Sequence, residues 1–508
     1  MPLGVTAVVV LAAGAGTRMR SSLPKVMHPL AGRPLLWHAL TTARGVQPEH
    51  LVAVIGHGRE AVGAYLAATL PDVDTAIQDQ QLGTGHAVDC ALAVLGPLTG
   101  TIVVTYGDVP LLRPETLVAL ATEHTDRGNA VTVLTARVVD PTGYGRIVRD
   151  AAGEVTGIVE HKDADHAQRA ITEINSGVYA FDAAVLADGL SRITAANAQG
   201  ERYLTDIVGI ARGDGRRVGA LVADDATETE GVNDRVQLAA MAHALNARLV
   251  RTAQLGGATI LDPQTTWLHA DVVIAADATI HRNTSLEGGT TVAGGAVVGP
   301  DSTLVDCRVG ADATVLRTHA EGAVIGERAT IGPFSYLRPG TVVGPGAKVG
   351  AYVEVKKSTL GPGAKVPHLS YVGDATIGAQ VNFGAGSITA NYDGVHKYDT
   401  VIGDGAFIGT NTTLIAPVTV APGGFTAAGS AITDDVAAGD LAVARGRQTA
   451  VAGWVGRKLP TSVMAAAAAL AGTPEDHVTG TAPAAGSVPT TPEQPGTSST
   501  RPGKALPA

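Results

Sequence analysis

Three clusters in this chain combine residue types and spacings that could do chemistry. The first is Leu11-Ala12-Ala13-Gly14-Ala15-Gly16-Thr17-Arg18, which closes the apolar run beginning at Val5, with Pro24-Lys25 a few residues on. Glycines at a strand-to-helix turn let backbone N–H groups approach phosphates, although Gly-x-Gly alone also fits an ordinary tight turn. The third glycine of a dinucleotide fingerprint is missing and no Walker lysine follows, so neither a Rossmann cofactor site nor a P-loop fits well. Arg18 and Lys25 instead place two cations near the loop, which suits a polyphosphate whose leaving group must be neutralised.

The second cluster is split. Gln78 and Leu82-Gly83-Thr84-Gly85 form a small-residue turn whose amide and hydroxyl could read a flat base edge; the same residues fit an ordinary helix start equally well. Tyr106-Gly107-Asp108 closes the apolar strand Thr101–Thr105. A carboxylate at the carboxyl end of such a strand is placed to hold Mg²⁺ between phosphates, which its position favours over a plain surface turn. The third cluster is Arg338, Lys356-Lys357, His368, Tyr371, Asn382, Ala385, Asn391-Tyr392 and His396-Lys397, gathered where a sequence repeat is interrupted. A scaffold does not itself require residues at a break. His368 alone fits a turn residue as readily as a base, but the convergence of Arg, Lys, His, Tyr and Asn favours a site for a phosphorylated amine.

Two kinds of element must position these residues. From Val5 to about Val222, strand-like runs (Val5–Leu11, Leu51–Ile55, Thr101–Tyr106, Ala130–Val138) alternate with helical ones (Pro34–Arg44, Arg59–Thr69, Gly83–Leu95, Pro114–Arg127). That alternation predicts a mostly parallel, doubly wound α/β sheet with its ligand site at the carboxyl ends of the strands. Around Tyr144–Glu160 the pattern becomes hairpin-like, which predicts a β lobe over the site. Farther on, Leu268, Ile274, Ile280, Leu286, Val292, Val298 and Leu304 recur every six residues, and the phase returns from Ile325 to Val372 and from Ile402 to Val420. A period of six is neither helix nor lone strand; it predicts stacked parallel coils with one inward aliphatic per rung and turns that favour glycine. The expected domains are residues 1–232 as the sheet domain, 233–255 as a helical linker, 256–458 as the β-solenoid and 459–508 as a disordered tail rich in Pro, Thr, Ser and Gly.

Composition bounds the rest. A chain of 508 residues exceeds one typical core. Net charge is −10 with no basic block, which excludes nucleic acid as an expected partner. Cys90 and Cys307 lie in different predicted domains, so no disulfide framework or cysteine metal site is expected and a reducing cytoplasm is the expected compartment. The start Val5–Ala13 lacks the basic flank of a signal sequence and reads as a buried strand, and Val463–Ala471 is too short to span a bilayer. No membrane association is expected.

LAAGAGTRM followed by PK, LGTGHA, YGDVPLL, PTGYGRI, GIVEHKDA, INSGVYAF and EGVN resemble the nucleotidyltransferases acting on sugar 1-phosphates. Joined to a hexapeptide solenoid containing HLSYVGDATIG and NYDG, the chain from about Val5 to Trp454 resembles the bacterial bifunctional N-acetylglucosamine-1-phosphate uridyltransferase and glucosamine-1-phosphate acetyltransferase family. The resemblance implies a Rossmann-like nucleotidyltransferase domain followed by a hexapeptide-repeat left-handed parallel β-helix. It implies UTP, acetyl-CoA and two sugar phosphates as substrates, Mg²⁺ as cofactor, a homotrimer, and a role in cell-wall precursor synthesis.

By that resemblance Leu11, Ala12, Ala13 and Gly14 line the uridine pocket with Gln78, Gly83 and Thr84. Arg18 and Lys25 meet the triphosphate, and Asp108 and Asn233 hold Mg²⁺. Gly145, Glu160, Asn175 and Asn233 hold N-acetylglucosamine 1-phosphate. In the solenoid His368 is the general base, with Glu354 as a candidate to orient its ring; Arg338, Lys356, Tyr371 and Asn382 hold glucosamine 1-phosphate. Ala385, Asn391, Tyr392, Thr410, Ala428 and Arg445 contact acetyl-CoA, with Thr410 standing where the family usually has serine. A one-activity nucleotidyltransferase with a purely assembling solenoid would not need His368 and its cationic neighbours. A scaffold that had lost chemistry would not need Lys25, Asp108 and His368.

Overall fold

The computed structural model describes residues 4–471, and the chain divides into two compact units, one ending at Gly346 and the other beginning at Ala347. The first unit starts with a nine-stranded sheet: β1 (Val5–Ala12), β2 (His50–Ile55), β3 (Asp74–Ile77), β4 (Thr101–Tyr106), β5 (Val131–Arg137), β6 (Arg146–Arg149), β7 (Val155–Val159), β8 (Glu173–Asp182) and β9 (Val218–Val222). The order is β9-β5-β8-β4-β1-β2-β3, with the β6–β7 hairpin attached to β8. All pairings along this path are parallel except those of β8, which runs antiparallel to β4 and β5. β1 is the apolar run that opens the sequence; buried on both faces, it reads as continuous Val and Ala rather than as an alternation. Helices α1 (Leu35–Arg44), α2 (Arg59–Thr69), α3 (Thr84–Leu95) and α4 (Pro114–Arg127) follow the sequence expectation to within a residue or two.

Helix α5 (Arg235–Leu255) is capped by the Asp234 carboxylate, which accepts from the backbone N–H groups of Val236 and Gln237 at 2.9 Å each. It is not a passive tether. Met241 and Leu245 pack with Met19, Leu30, Leu35, Leu111 and Val232, and Asn246 bonds the first coil both ways, donating to the Thr266 carbonyl at 2.8 Å and accepting from Leu268 N–H at 2.9 Å. Parallel coils follow at once: Thr279 pairs with Thr259 and then with Val297, eighteen residues on. The inward positions Ile280, Leu286, Val292, Val298 and Leu304 are sealed from solvent. After Leu304 the buried rungs move to Val309, Val315, Ala320 and Ile325, because several rungs there advance by five residues and not six. Many corners carry aspartate or asparagine where glycine was expected, among them Asp277, Asn283, Asp301, Asp306 and Asp312, all with positive φ; their short polar side chains tolerate that region.

The second unit holds three files of short parallel strands. One file holds Lys348–Ala351, Lys365–His368, Asn382–Phe383, Phe407–Ile408 and Phe425–Thr426; a second holds Glu354–Lys356, Tyr371–Gly373, Ile388–Ala390 and Thr413–Ile415; the third includes Thr359–Leu360, Ala375–Ile377 and Thr400–Ile402. The interruption seen in the sequence is a loop between Ala390 and Thr400, which raises the advance from 17 residues (Tyr371 to Ile388) to 25 (Ile388 to Thr413). The tail expected from residue 459 begins instead with ordered structure. Val463–Leu470 is a helix whose cap Ser462 accepts from Ala465 N–H, since alanine-rich sequence favours helix and buries nothing to do so. The rest of that expectation lies outside the described residues. No helix among them is long and apolar enough to cross a membrane.

Leu245 is the apolar anchor that seats α5, so Leu245→Ala is expected to destabilise the protein by about 3 kcal/mol. The check is the shift in urea midpoint at unchanged slope.

Candidate functional site

Parallel pairing brings the first two clusters together. Leu11 stands in register with Val54 on one side and Tyr106 on the other, so the segments after β1, β2 and β4 leave the sheet at one edge. Gly107 N–H donates to the Leu11 carbonyl at 2.9 Å, which sets Asp108 beside the first loop. Val232 N–H donates to the Asp108 carbonyl at 2.9 Å, which brings Asn233 to the same place from 125 residues away in sequence. The result is a cavity of about 380 Å³ lined by Leu11, Ala12, Ala13, Gly14, Lys25, Gln78, Gly83, Thr84, Asp108 and Asn233, all expected from the sequence.

The charges inside it are paired. Lys25 Nζ bonds the Asp108 carboxylate, both side chains about 15% exposed, and Arg18 Nη2 donates to Asn233 Oδ1 at 2.8 Å. Arg18 itself is exposed and reaches the site only through that contact. The two expected metal ligands thus sit side by side, each holding a cation. A carboxylate and an amide oxygen are hard donors that suit Mg²⁺, which takes few protein ligands and keeps water and phosphate oxygens for the rest. Among the described residues no group of three or more His, Cys, Asp or Glu side chains could hold a metal.

Gly145, Glu160 and Asn175 also come together. Asn175 N–H donates to the Gly145 carbonyl at 2.9 Å, and a side chain at Gly145 would meet Glu160 and Asn175 at 3.3–3.4 Å. Burial, with Asp163 and Asp206 nearby, raises the Glu160 carboxyl above its usual value against the pull of Arg146. Tyr106 links this group to the cavity. Burial first, then the carboxylates of Glu160 and Asp108, keep its phenol protonated far above the ordinary range, and its ring fills the space over Gly177, whose φ of +83° and missing side chain both require glycine.

In the second unit the coil stacks residues into columns. At one corner Leu369 N–H donates to the Ala351 carbonyl, Gly386 to His368, Asn411 to Ala385 and Gly429 to Thr410, at 2.8–3.2 Å. His368, Ala385, Thr410 and Ala428 therefore stand in one file, about 14 Å long over three steps, and Arg445 Nη1 closes it with a 2.8 Å bond to the Ala428 carbonyl. The expected base and four of the expected coenzyme contacts form one line. On the adjoining face Lys356 Nζ lies 3.0 Å and Lys357 Nζ 3.7 Å from the carboxylate of Asp374, which is 3% exposed. Burial raises the Asp374 carboxyl, but Lys356, Asn391 and Lys357 together bring it below its usual value. The Tyr371 hydroxyl folds over Gly373, the register partner of Lys356.

Some expected placements differ. Asn391 is buried and donates to Asp374, because its amide completes the shell of that carboxylate. Tyr392 is exposed on the inserted loop, its hydroxyl turned back to the Gly394 carbonyl. Asn382 pairs with Lys365 and Phe407 in the file of His368, not in that of Lys356 and Tyr371. The His368 ring is exposed, and its backbone carbonyl accepts from Ser370 Oγ at 2.9 Å. Arg338 belongs to the first unit, its guanidinium over the Tyr336 ring.

The sequence reading missed Asp374, Gln81 and Glu201. Asp374 was findable: it lies 17 residues after Lys357, one coil along. Gln81, whose Nε2 donates to the Ala13 carbonyl at 2.9 Å, and Glu201, brought in by the backbone bonds of Arg202 to Leu82 and Gly85, carry no local signal.

Two family models match the chain. The MobA-like NTP transferase domain family matches residues 8–173, and the bacterial transferase hexapeptide (six repeats) matches residues 322–357. The "Bifunctional protein GlmU" of Streptomyces avermitilis is 56% identical over 92% of this chain and 97% of its own length. The protein of the same name from Streptomyces coelicolor is 55% identical, covering 91% and 96%, and that from Corynebacterium glutamicum is 54% identical, also covering 91% and 96%.

Removing Asp374 leaves Lys356 partly buried without its counter-charge, so Asp374→Ala is expected to cost about 3 kcal/mol. Because the folded carboxyl titrates below the unfolded one, this stabilisation is fully present above about pH 4 and fades as pH falls through the lowered value. Denaturation of both proteins at neutral and acid pH checks it: the difference should shrink at acid pH.

Proposed function

The chain belongs to the GlmU family of bifunctional proteins, and from that premise we propose which residues carry each of its reactions. The protein acetylates glucosamine 1-phosphate with acetyl-CoA, then transfers UMP from UTP to N-acetylglucosamine 1-phosphate and releases pyrophosphate, giving a cell-wall precursor. The observation that carries the assignment is the convergence of Lys25, Asp108 and Asn233 in the cavity closed by Leu11–Gly14, Gln78 and Thr84.

In uridyl transfer the sugar phosphate oxygen attacks the α-phosphorus of UTP and pyrophosphate leaves. Leu11–Gly14, Gln78, Gly83 and Thr84 hold the nucleoside, and Gly145, Glu160 and Asn175 hold the acetylated sugar. Lys25 and Arg18 neutralise the phosphates as anions are brought together, so positioning and charge supply most of the catalysis without a covalent intermediate. Asp108 and Asn233 would hold Mg²⁺, which supplies charge neutralisation between phosphate oxygens.

In acetyl transfer the sugar amine attacks the thioester carbonyl, His368 takes the proton and the coenzyme thiolate leaves. Ala385, Thr410, Ala428 and Arg445 hold the coenzyme along the file that starts at His368; the hydroxyl of Thr410 is retained there. Lys356, Tyr371 and Asn382 bind the amino-sugar phosphate. A homotrimer belongs to this reading, with the acetyl-transfer site shared between neighbouring copies. The expected domain limits go with this reading, with uridyl transfer before α5 and acetyl transfer in the coils after it.

Pyrophosphate release from glucosamine 1-phosphate and UTP is expected only when acetyl-CoA is supplied; release without it sinks the two-step reading. Lys25→Ala is expected to lose about 10²–10³ in uridyl transfer with acetyl transfer intact. His368→Ala is expected to lose about 10²–10⁴ in acetyl transfer with uridyl transfer intact. Separate assays of the two reactions check both variants.

A further inference from the structure

Gln78 follows β3 and is 5% exposed, and its side chain is held at two points. Nε2 lies 3.0 Å from the Gly83 carbonyl oxygen and 3.2 Å from His86 Nδ1. A carbonyl oxygen only accepts, so the nitrogen of the amide, not its oxygen, must face Gly83. The second proton of that nitrogen goes to His86 Nδ1, which accepts in the tautomer protonated on Nε2. That Nε2 has Cys90 Sγ 3.7 Å away as a weak acceptor, one turn along α3. Both amide protons of Gln78 are then used. Oε1 takes no hydrogen bond from the described residues and is the polar atom Gln78 has left for the cavity it lines.

We propose that His86 is a positioning residue that sets base specificity, holding the Gln78 amide so that Oε1 faces the base as a fixed acceptor. Uracil offers an N3–H donor to such an acceptor; cytosine offers a lone pair at N3 and is disfavoured. His86 is not among the cavity-lining residues and acts only through Gln78. The inference rests on the reading that Gln78 meets the base.

The test uses the full chain and measures kcat/KM of uridyl transfer for UTP, CTP and 5-methyluridine triphosphate in wild type, His86→Phe, His86→Asn and Gln78→Ala. His86→Phe keeps a ring and removes the acceptor; it is expected to lower the UTP value about fivefold to tenfold and the UTP:CTP ratio by a similar factor. His86→Asn, whose Oδ1 can stand where Nδ1 stood, is expected to keep most of the ratio. 5-Methyluridine triphosphate carries the same N3–H and is expected to fall in step with UTP, which a general distortion of the pocket would not ensure. Acetyl transfer and the melting temperature report folding, and His86→Ala gives the same readout if the phenyl ring does not pack. An unchanged UTP:CTP ratio in His86→Phe, with Gln78→Ala losing it, overturns the role of His86 alone. An unchanged ratio in Gln78→Ala overturns the base-pocket assignment and this inference with it.

Discussion

In-register parallel pairing is the constraint on which both halves of this protein depend. In the sheet it makes β1, β2 and β4 end at one edge, so that Leu11, Ile55 and Tyr106 hand the chain to three loops that have no choice but to meet. In the coils, outside the inserted loop, the same pairing repeats a corner every 16 to 18 residues, so residues far apart in sequence become a file. Neither arrangement asks the functional residues to fold anything. They occupy ends and corners, where the backbone is fixed by buried Val, Ile and Leu on either side.

That division explains what the sequence made legible. A period of six survives in the sequence because each rung buries one aliphatic, and β1 shows as Val-Val-Val because both its faces are covered. The small-residue loop after β1 and the carboxylate after β4 are legible for the same reason: each directly follows a strand that can be seen. Glu201 is not legible. It reaches the cavity because Arg202 bonds Leu82 and Gly85, and Gly83, with φ +103°, leaves room for that backbone to approach within what a side chain would occupy. Strands β3, β8 and β9 were also unassigned, β8 because its register breaks between Asn175 and Tyr179 and spoils the alternation.

Asp374 shows a different kind of opacity. In isolation it is an aspartate after a glycine at a corner of φ +46°, which reads as a turn. Its meaning lies one coil earlier, in Lys356 and Lys357, and one coil later, in Asn391. Two cations and an amide donor surround one buried carboxylate, so the inserted loop that begins at Asn391 is fastened to the face that carries the lysines. A histidine such as His368, by contrast, is conspicuous in a coil of small residues although its ring is exposed.

The first cavity is organised by the same economy of charge. Lys25 and Asp108 are both mostly buried, and two such ions cost desolvation energy that only close pairing offsets. On the assignment proposed above, a triphosphate would bring anionic oxygens to Lys25, and Asp108 would hold its counter-cation. Each group gives up the other only for a partner of the same sign as the one it loses, while Arg18 donates to the neutral amide oxygen of Asn233 one step farther out. The Lys25–Asp108 pair therefore holds two opposite charges, each partly neutralising the other, in the places where the proposed substrate needs them. Little reorganisation of the protein is then left for the moment of reaction, which is where preorganised charge gains its advantage over water.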